Sequence, residues 1–150
     1  MPTHYQGSVR DKRALDAFIK LTRAAESVSG RINAHLREHQ LTVSQFGVLE
    51  ALYHLGPMQT GELGEKILKS SGNMTLVIDN LEKRGLVERR RLEGDRRCID
   101  VHLTAEGEAL VTKIMPQHVE GVVDTFDVIS PEEQLQLGEL CRRLGLQDQV

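Results

Sequence analysis

The chain has 150 residues, 39% of them hydrophobic, enough for one domain with its own core. Its charge is near balance, 19 Lys+Arg against 22 Asp+Glu, which excludes a nonspecific polycation but leaves room for a local basic surface. Two distant cysteines, no secretory leader and no long apolar run argue against a disulfide scaffold, secretion or a membrane span, and a cytoplasmic protein is expected.

Residues 1–8 are polar and read as a frayed end. From about Asp11 to His39 the pattern is helical, with Leu15, Phe18, Thr22, Ala25, Ser29, Ile32 and Leu36 recurring at three- and four-residue steps. A helix this long in a small protein calls for a partner, commonly a second subunit. Thr42 to Gln45 is a capping box, and Phe46, Leu49, Leu52 and Tyr53 are the expected inward face of the helix it opens. Gly56-Pro57 ends that helix, and a short one follows over Thr60–Leu68 with Leu63 and Ile67 inward.

Ser70 and Ser71 are N-cap candidates for a fourth helix whose apolar row is Met74, Val77, Ile78 and Leu81. Gly85 stands at its C-cap. Two extended stretches, Leu86–Leu92 and Cys98–Leu103, flank hairpin-turn residues Glu93-Gly94-Asp95. Thr104 caps a fifth helix, which Pro116 should kink or interrupt. Ser130-Pro131-Glu132-Glu133 opens a last helix carrying Leu135, Leu137, Leu140 and Leu144.

The charge is unevenly spread. Lys83–Arg97 holds seven basic and three acidic residues, whereas Thr104–Val150 holds three basic and nine acidic. The basic segment follows a helix-turn-helix pattern, in which the second helix presents its N-terminal side chains to the major groove of DNA. Opposite the apolar row, this helix offers Ser71, Gly72, Asn73, Thr75 and Leu76; Ser70 and Ser71 suit a phosphate and Asn73 an adenine edge. The hairpin carries Arg89, Arg90, Arg91, Arg96 and Arg97; its tip can lie along the DNA backbone or enter the minor groove, with Asp95 close enough to pre-orient the Arg97 guanidinium. No nucleophile–base pair, phosphate loop or paired-acid motif is seen, so an enzyme is not expected.

Three blocks together resemble the MarR family of bacterial regulators: Leu81-Glu82-Lys83-Arg84-Gly85-Leu86-Val87-Glu88-Arg89, Gly94-Asp95-Arg96-Arg97, and Val101-His102-Leu103-Thr104-Ala105-Glu106-Gly107. The resemblance implies a mostly α fold with a small β-hairpin wing. Residues 41–104 would form a winged helix-turn-helix lobe, and helices within 9–40 and 105–146 would form a homodimer interface. It implies a double-stranded, pseudo-palindromic DNA operator as partner, contacted by Ser70, Ser71, Gly72, Asn73, Thr75 and Leu76 and by wing residues Arg89, Arg91, Asp95, Arg96 and Arg97. Repression relieved by a small ligand or oxidant is the implied mode of action. Several members carry Arg on the exposed face of the recognition helix, where this chain has Leu76 and Asn80. The stretches Gly64–Leu68, Ser70–Thr75 and Val77–Glu82 are similar to a branch that answers to quinones and related aromatics.

Two alternatives use the same residues: a winged-helix protein–protein adaptor without DNA binding, and a thiol redox sensor built on Cys98, whose Arg96-Arg97 neighbours would lower its pKa. Cys141 is expected to serve packing. His35 and His39 lie one helical turn apart but lack a third ligand, so neither a metal nor another cofactor is expected.

Overall fold

The structure, a computed structural model, describes residues 2–67 and 71–147. The side chains of Ser71, Gly72 and Arg96 lie outside that description. The chain divides into two compact units, with breaks between Ala34 and His35 and between Gln117 and His118.

The central unit opens with a 3-10 turn, Ala34–His39, where continuous α-helix was expected. Gln40 takes a left-handed conformation (φ 55°), and the Leu41 and Gln40 amides bond back to the carbonyls of Leu36 and Arg37. Arg84 clamps this turn by donating to the Gln40 carbonyl at 2.7 Å and the His39 carbonyl at 3.2 Å. Helix α2 (Val43–Leu55) starts at the expected box: the Gln45 amide donates to Thr42 Oγ1 at 3.1 Å, and the Thr42 amide to Gln45 Oε1 at 3.0 Å. It buries Phe46, Val48, Leu49 and Leu52, while Tyr53 stays exposed with its ring edge-on to His54. The buried face is thus rotated around the helix toward Val48 and away from Tyr53.

A two-residue strand β1 (Met58–Gln59) precedes α3 (Thr60–Ile67). It is too short to show any alternation in sequence. Helix α4 (Ser71–Lys83) turns Met74, Ile78 and Leu81 into the core. Its end is a paired cap: the Leu86 amide reaches the Leu81 carbonyl at 3.0 Å and the Gly85 amide the Glu82 carbonyl at 2.9 Å. That geometry needs φ +73° at Gly85, which glycine adopts without a Cβ clash.

Strands β2 (Val87–Leu92) and β3 (Asp95–Leu103) form the hairpin, and β1 adds to the far edge of β3, giving the order β1-β3-β2. Helix α5 (Ala105–Phe126) starts beneath it, with Thr104 Oγ1 accepting from the Gly107 amide at 3.1 Å and donating to the Gly85 carbonyl at 2.6 Å. Gly107 is buried, and a Cβ there would run into the Leu86 carbonyl. Pro116 does not interrupt α5, which is continuous. Pro116 and Thr112, the residue whose carbonyl loses its donor, both lie on the exposed side, so the lost bond can be replaced by water. The passage between the compact units nevertheless falls just after this proline. Val111 and Ile114 are buried, and the first half of α5 clusters with the central core.

The other unit comprises α1 (Val9–Asn33), the second half of α5 and α6 (Pro131–Gly145). Ser8 with Asp11 and Ser130 with Glu133 form full capping boxes, the second with Pro131 at the first helical turn as expected. Neither α1 nor α6 contains a buried residue. Cys141, expected in packing, is exposed in the single chain. Among the described residues no helix is long and apolar enough to cross a membrane.

Candidate nucleic-acid interface

Helices α3 and α4 and the β2–β3 hairpin lie in one compact unit, and together they form a winged helix-turn-helix. Ser70 falls outside the described residues; Ser71 and Gly72 form the first turn of α4. After them Asn73, Thr75 and Leu76 are exposed, on the side of α4 away from buried Met74 and Ile78. Leu76 is 61% exposed, an apolar side chain left on a polar face. Such a residue can contact a thymine methyl, whereas Asn73 and Thr75 bring hydrogen-bonding groups.

In the hairpin, Arg89 to Val101 and Arg91 to Ile99 pair in regular register. Beyond Arg91 the register slips, and Leu92 pairs with Asp95. The slip leaves Arg96, Arg97 and Cys98 opposite no β2 residue, in a bulge next to the Glu93-Gly94 turn. Gly94 has φ +93°, as a two-residue hairpin turn needs. Asp95 organises the bulge: it accepts from the Arg97 amide at 2.9 Å and from Cys98 Sγ at 3.5 Å, and its Oδ1 lies 3.6 Å from Arg97 Nε. The Arg97 side chain is 93% exposed, so a tethered guanidinium stands in water at the hairpin tip.

These bonds set the local titration. The Arg97 amide first, then the Cys98 thiol, hold the Asp95 carboxyl below its ordinary value near 3.8. A carboxyl lowered on folding stabilises the tip at neutral pH, and that support is lost only as pH falls through the folded value. The same contact acts oppositely on Cys98: the hydrogen bond to Asp95 and the Asp95 charge push its thiol above 9.0. The expectation that the Arg96-Arg97 neighbours would make Cys98 a reactive thiolate is therefore reversed. The carboxylate in contact with the thiol is what sets the direction of the shift.

The four wing arginines whose side chains are described separate by environment. Arg91 is exposed with Arg97, and Arg90 pairs with Glu88 on its own strand. Arg89 points elsewhere: it is bound to Asp79 at 2.6 Å and Glu82 at 3.1 Å on α4, with its side chain only 24% exposed. Sequence reading missed these two carboxylates. Their signal is the stripe Thr75, Asp79 and Glu82, at i, i+4 and i+7, next to the apolar row of the same helix. Among the described residues, no cluster of three or more metal-ligating side chains forms around His35, His39 or elsewhere.

Comparison with known proteins agrees with this architecture. The MarR family profile matches residues 41–99. Over nearly the whole length, the chain is 36% identical to the HTH-type transcriptional regulator MhqR of Bacillus subtilis, across 90% of this chain and 93% of that protein. The chain belongs to the MarR family. It is a DNA-binding transcription regulator rather than an enzyme. Among solved structures, this MarR protein is similar to Sco3205 of Streptomyces coelicolor, a MarR regulator in complex with DNA. The TM-score is 0.83, with 25% identity over 96% of this chain and 92% of that one. It also resembles BpsR of Bordetella bronchiseptica, whose DNA binding is regulated by 6-hydroxynicotinic acid. There the TM-score is 0.78, with 26% identity over 97% and 98% of the two chains.

Proposed function

We propose that the protein is a homodimeric repressor that reads a pseudo-palindromic operator and lets go when a small aromatic molecule binds. The observation that carries the DNA contact is the pairing of two exposed surfaces in one compact unit. One is the Asn73-Thr75-Leu76 face of α4, and the other is a hairpin tip where Asp95 tethers solvent-exposed Arg97. Side chains at the start of α4 enter the major groove together with Ser70, Ser71 and Gly72, while Arg91, Arg96 and Arg97 follow the backbone or the adjacent minor groove. Arg89 is not among the DNA contacts in this reading, because its charge is already held by Asp79 and Glu82.

The dimer rests on the terminal helices, where Phe18, Leu21, Leu140 and Leu144 are at least 40% exposed. The aromatic effector is supported by the likeness to MhqR and by the aromatic acid that regulates BpsR. Release by oxidation of Cys98 is disfavoured by its raised thiol pKa.

The test is a titration against DNA from upstream of the protein's own gene, at two salt concentrations, beside a scrambled duplex. A preference for the upstream duplex, with affinity falling steeply as salt rises, is expected. Arg97→Ala should weaken that binding by about 1–3 kcal/mol. Equal affinity of the native and Arg97→Ala proteins would remove the wing from the interface, and no binding to either duplex would favour the protein–protein adaptor.

A further inference from the structure

Arg89 occupies the point where the hairpin leaves the body of the protein. Its ladder partner Val101 is fully buried, whereas beyond this pair β2 runs into exposed Arg90, Arg91 and Leu92. The turn at Gly94 is five residues further on, roughly 17 Å at the usual rise of a strand. A tilt of about 10° at Arg89 would therefore move the tip by roughly 3 Å, enough to break a groove contact.

Four bonds fix that point to the recognition helix. The Arg89 amide donates to Glu82 Oε2 at 2.9 Å, Nη1 to Glu82 Oε1 at 3.1 Å, and Nη2 to the Thr75 carbonyl at 3.5 Å. The Nη2–Asp79 Oδ1 ion pair, at 2.6 Å, completes the set. The planar fork of a guanidinium can hold two carboxylates and a carbonyl in fixed directions, which a lysine ammonium cannot do with the same geometry. All three acceptors lie on one stripe of α4, so the brace fixes the strand both along and around the helix.

We infer that Arg89 is a positioning residue that sets the wing at the spacing from α4 at which both meet one operator half-site. This inference rests on the DNA-contact reading above. Arg89 touches no DNA; it makes the Arg97 contact reachable. Without it the hairpin still folds, because the β2–β3 ladder and Val101 are intact, but the tip loses its fixed bearing.

The experiment is a double-mutant cycle on the full chain, using the tightest duplex that the native protein selects from a random-sequence pool. Affinities of the native, Arg97→Ala, Arg89→Gln and doubly substituted proteins are measured, with active fractions from stoichiometric titration. In the native background Arg97→Ala should cost roughly tenfold or more. In the Arg89→Gln background the same change should cost no more than about twofold. An undiminished Arg97 increment would overturn the positioning role. It would mean that Arg89 acts only by masking Asp79 and Glu82 or by holding the fold, either of which lowers both affinities alike. A negligible Arg97→Ala cost in the native background would instead defeat the wing contact itself, and the brace with it.

Discussion

The central unit and the terminal helices are built from the same kinds of residue, yet they end in opposite states. All sixteen buried hydrophobic side chains among the described residues lie between Leu36 and Ile114. The terminal helices carry Phe18, Val119, Val123, Leu135, Leu140 and Leu144, and all of them are exposed. Local stability does not explain the contrast, since α1 and α6 have complete capping boxes. A cap fixes where a helix starts, worth about 1 kcal/mol, but only burial of its apolar face holds it in place. Full burial of one Leu or Phe is worth about 1.5–3 kcal/mol, so covering several such residues is enough to drive association. The central unit is complete within one chain, whereas the terminal helices leave apolar faces uncovered that the proposed second copy would bury.

That contrast can be broken most severely from the core. Ile78→Ala removes a fully buried side chain on the inner face of α4 and should cost about 2–5 kcal/mol in denaturant unfolding. A smaller cost would mean that the core can collapse around the gap. Next, Leu140→Glu, on a residue 54% exposed in the single chain, should leave the central unit folded but dissociate the dimer. DNA affinity should then fall by about 100-fold or more as the two half-sites lose their linkage. An associated, fully binding Leu140→Glu protein would place the interface elsewhere. Gly107→Ala pushes a methyl into the Leu86 carbonyl beneath the hairpin and should cost about 1–3 kcal/mol, read as a lower melting temperature. The smallest effect is chemical. Cys98 should alkylate at neutral pH more slowly than a free cysteine peptide, and Asp95→Asn should speed it by removing the carboxylate that raises the thiol pKa. A fast native Cys98 would return the thiol-sensor reading to consideration.

Most of the fold was legible in the sequence because local chemistry fixes it. The boxes at Thr42 and Ser130 and the cap at Gly85 each depend on residues a few positions apart. What sequence reading missed depends on residues brought together from afar. Strand β1 exists because Met58 and Gln59 pair with Val101 and Asp100, more than forty residues on. The role of Arg89 comes from Asp79 and Glu82, on a different element. The upward shift of the Cys98 thiol comes from its contact with Asp95, three residues away across the bulge, and not from its immediate sequence neighbours. The expected interruption at Pro116 does not occur, because exposure of that side of α5 leaves the orphaned carbonyl open to water.

The proposed homodimer depends most on the terminal helices forming its interface. The direct measurement is the mass of the purified chain by sedimentation or light scattering, followed by dilution to low micromolar concentration. The prediction is twice the 16.8 kDa of one chain throughout. A stable species at the single-chain mass, with its helices intact by circular dichroism, would contradict it.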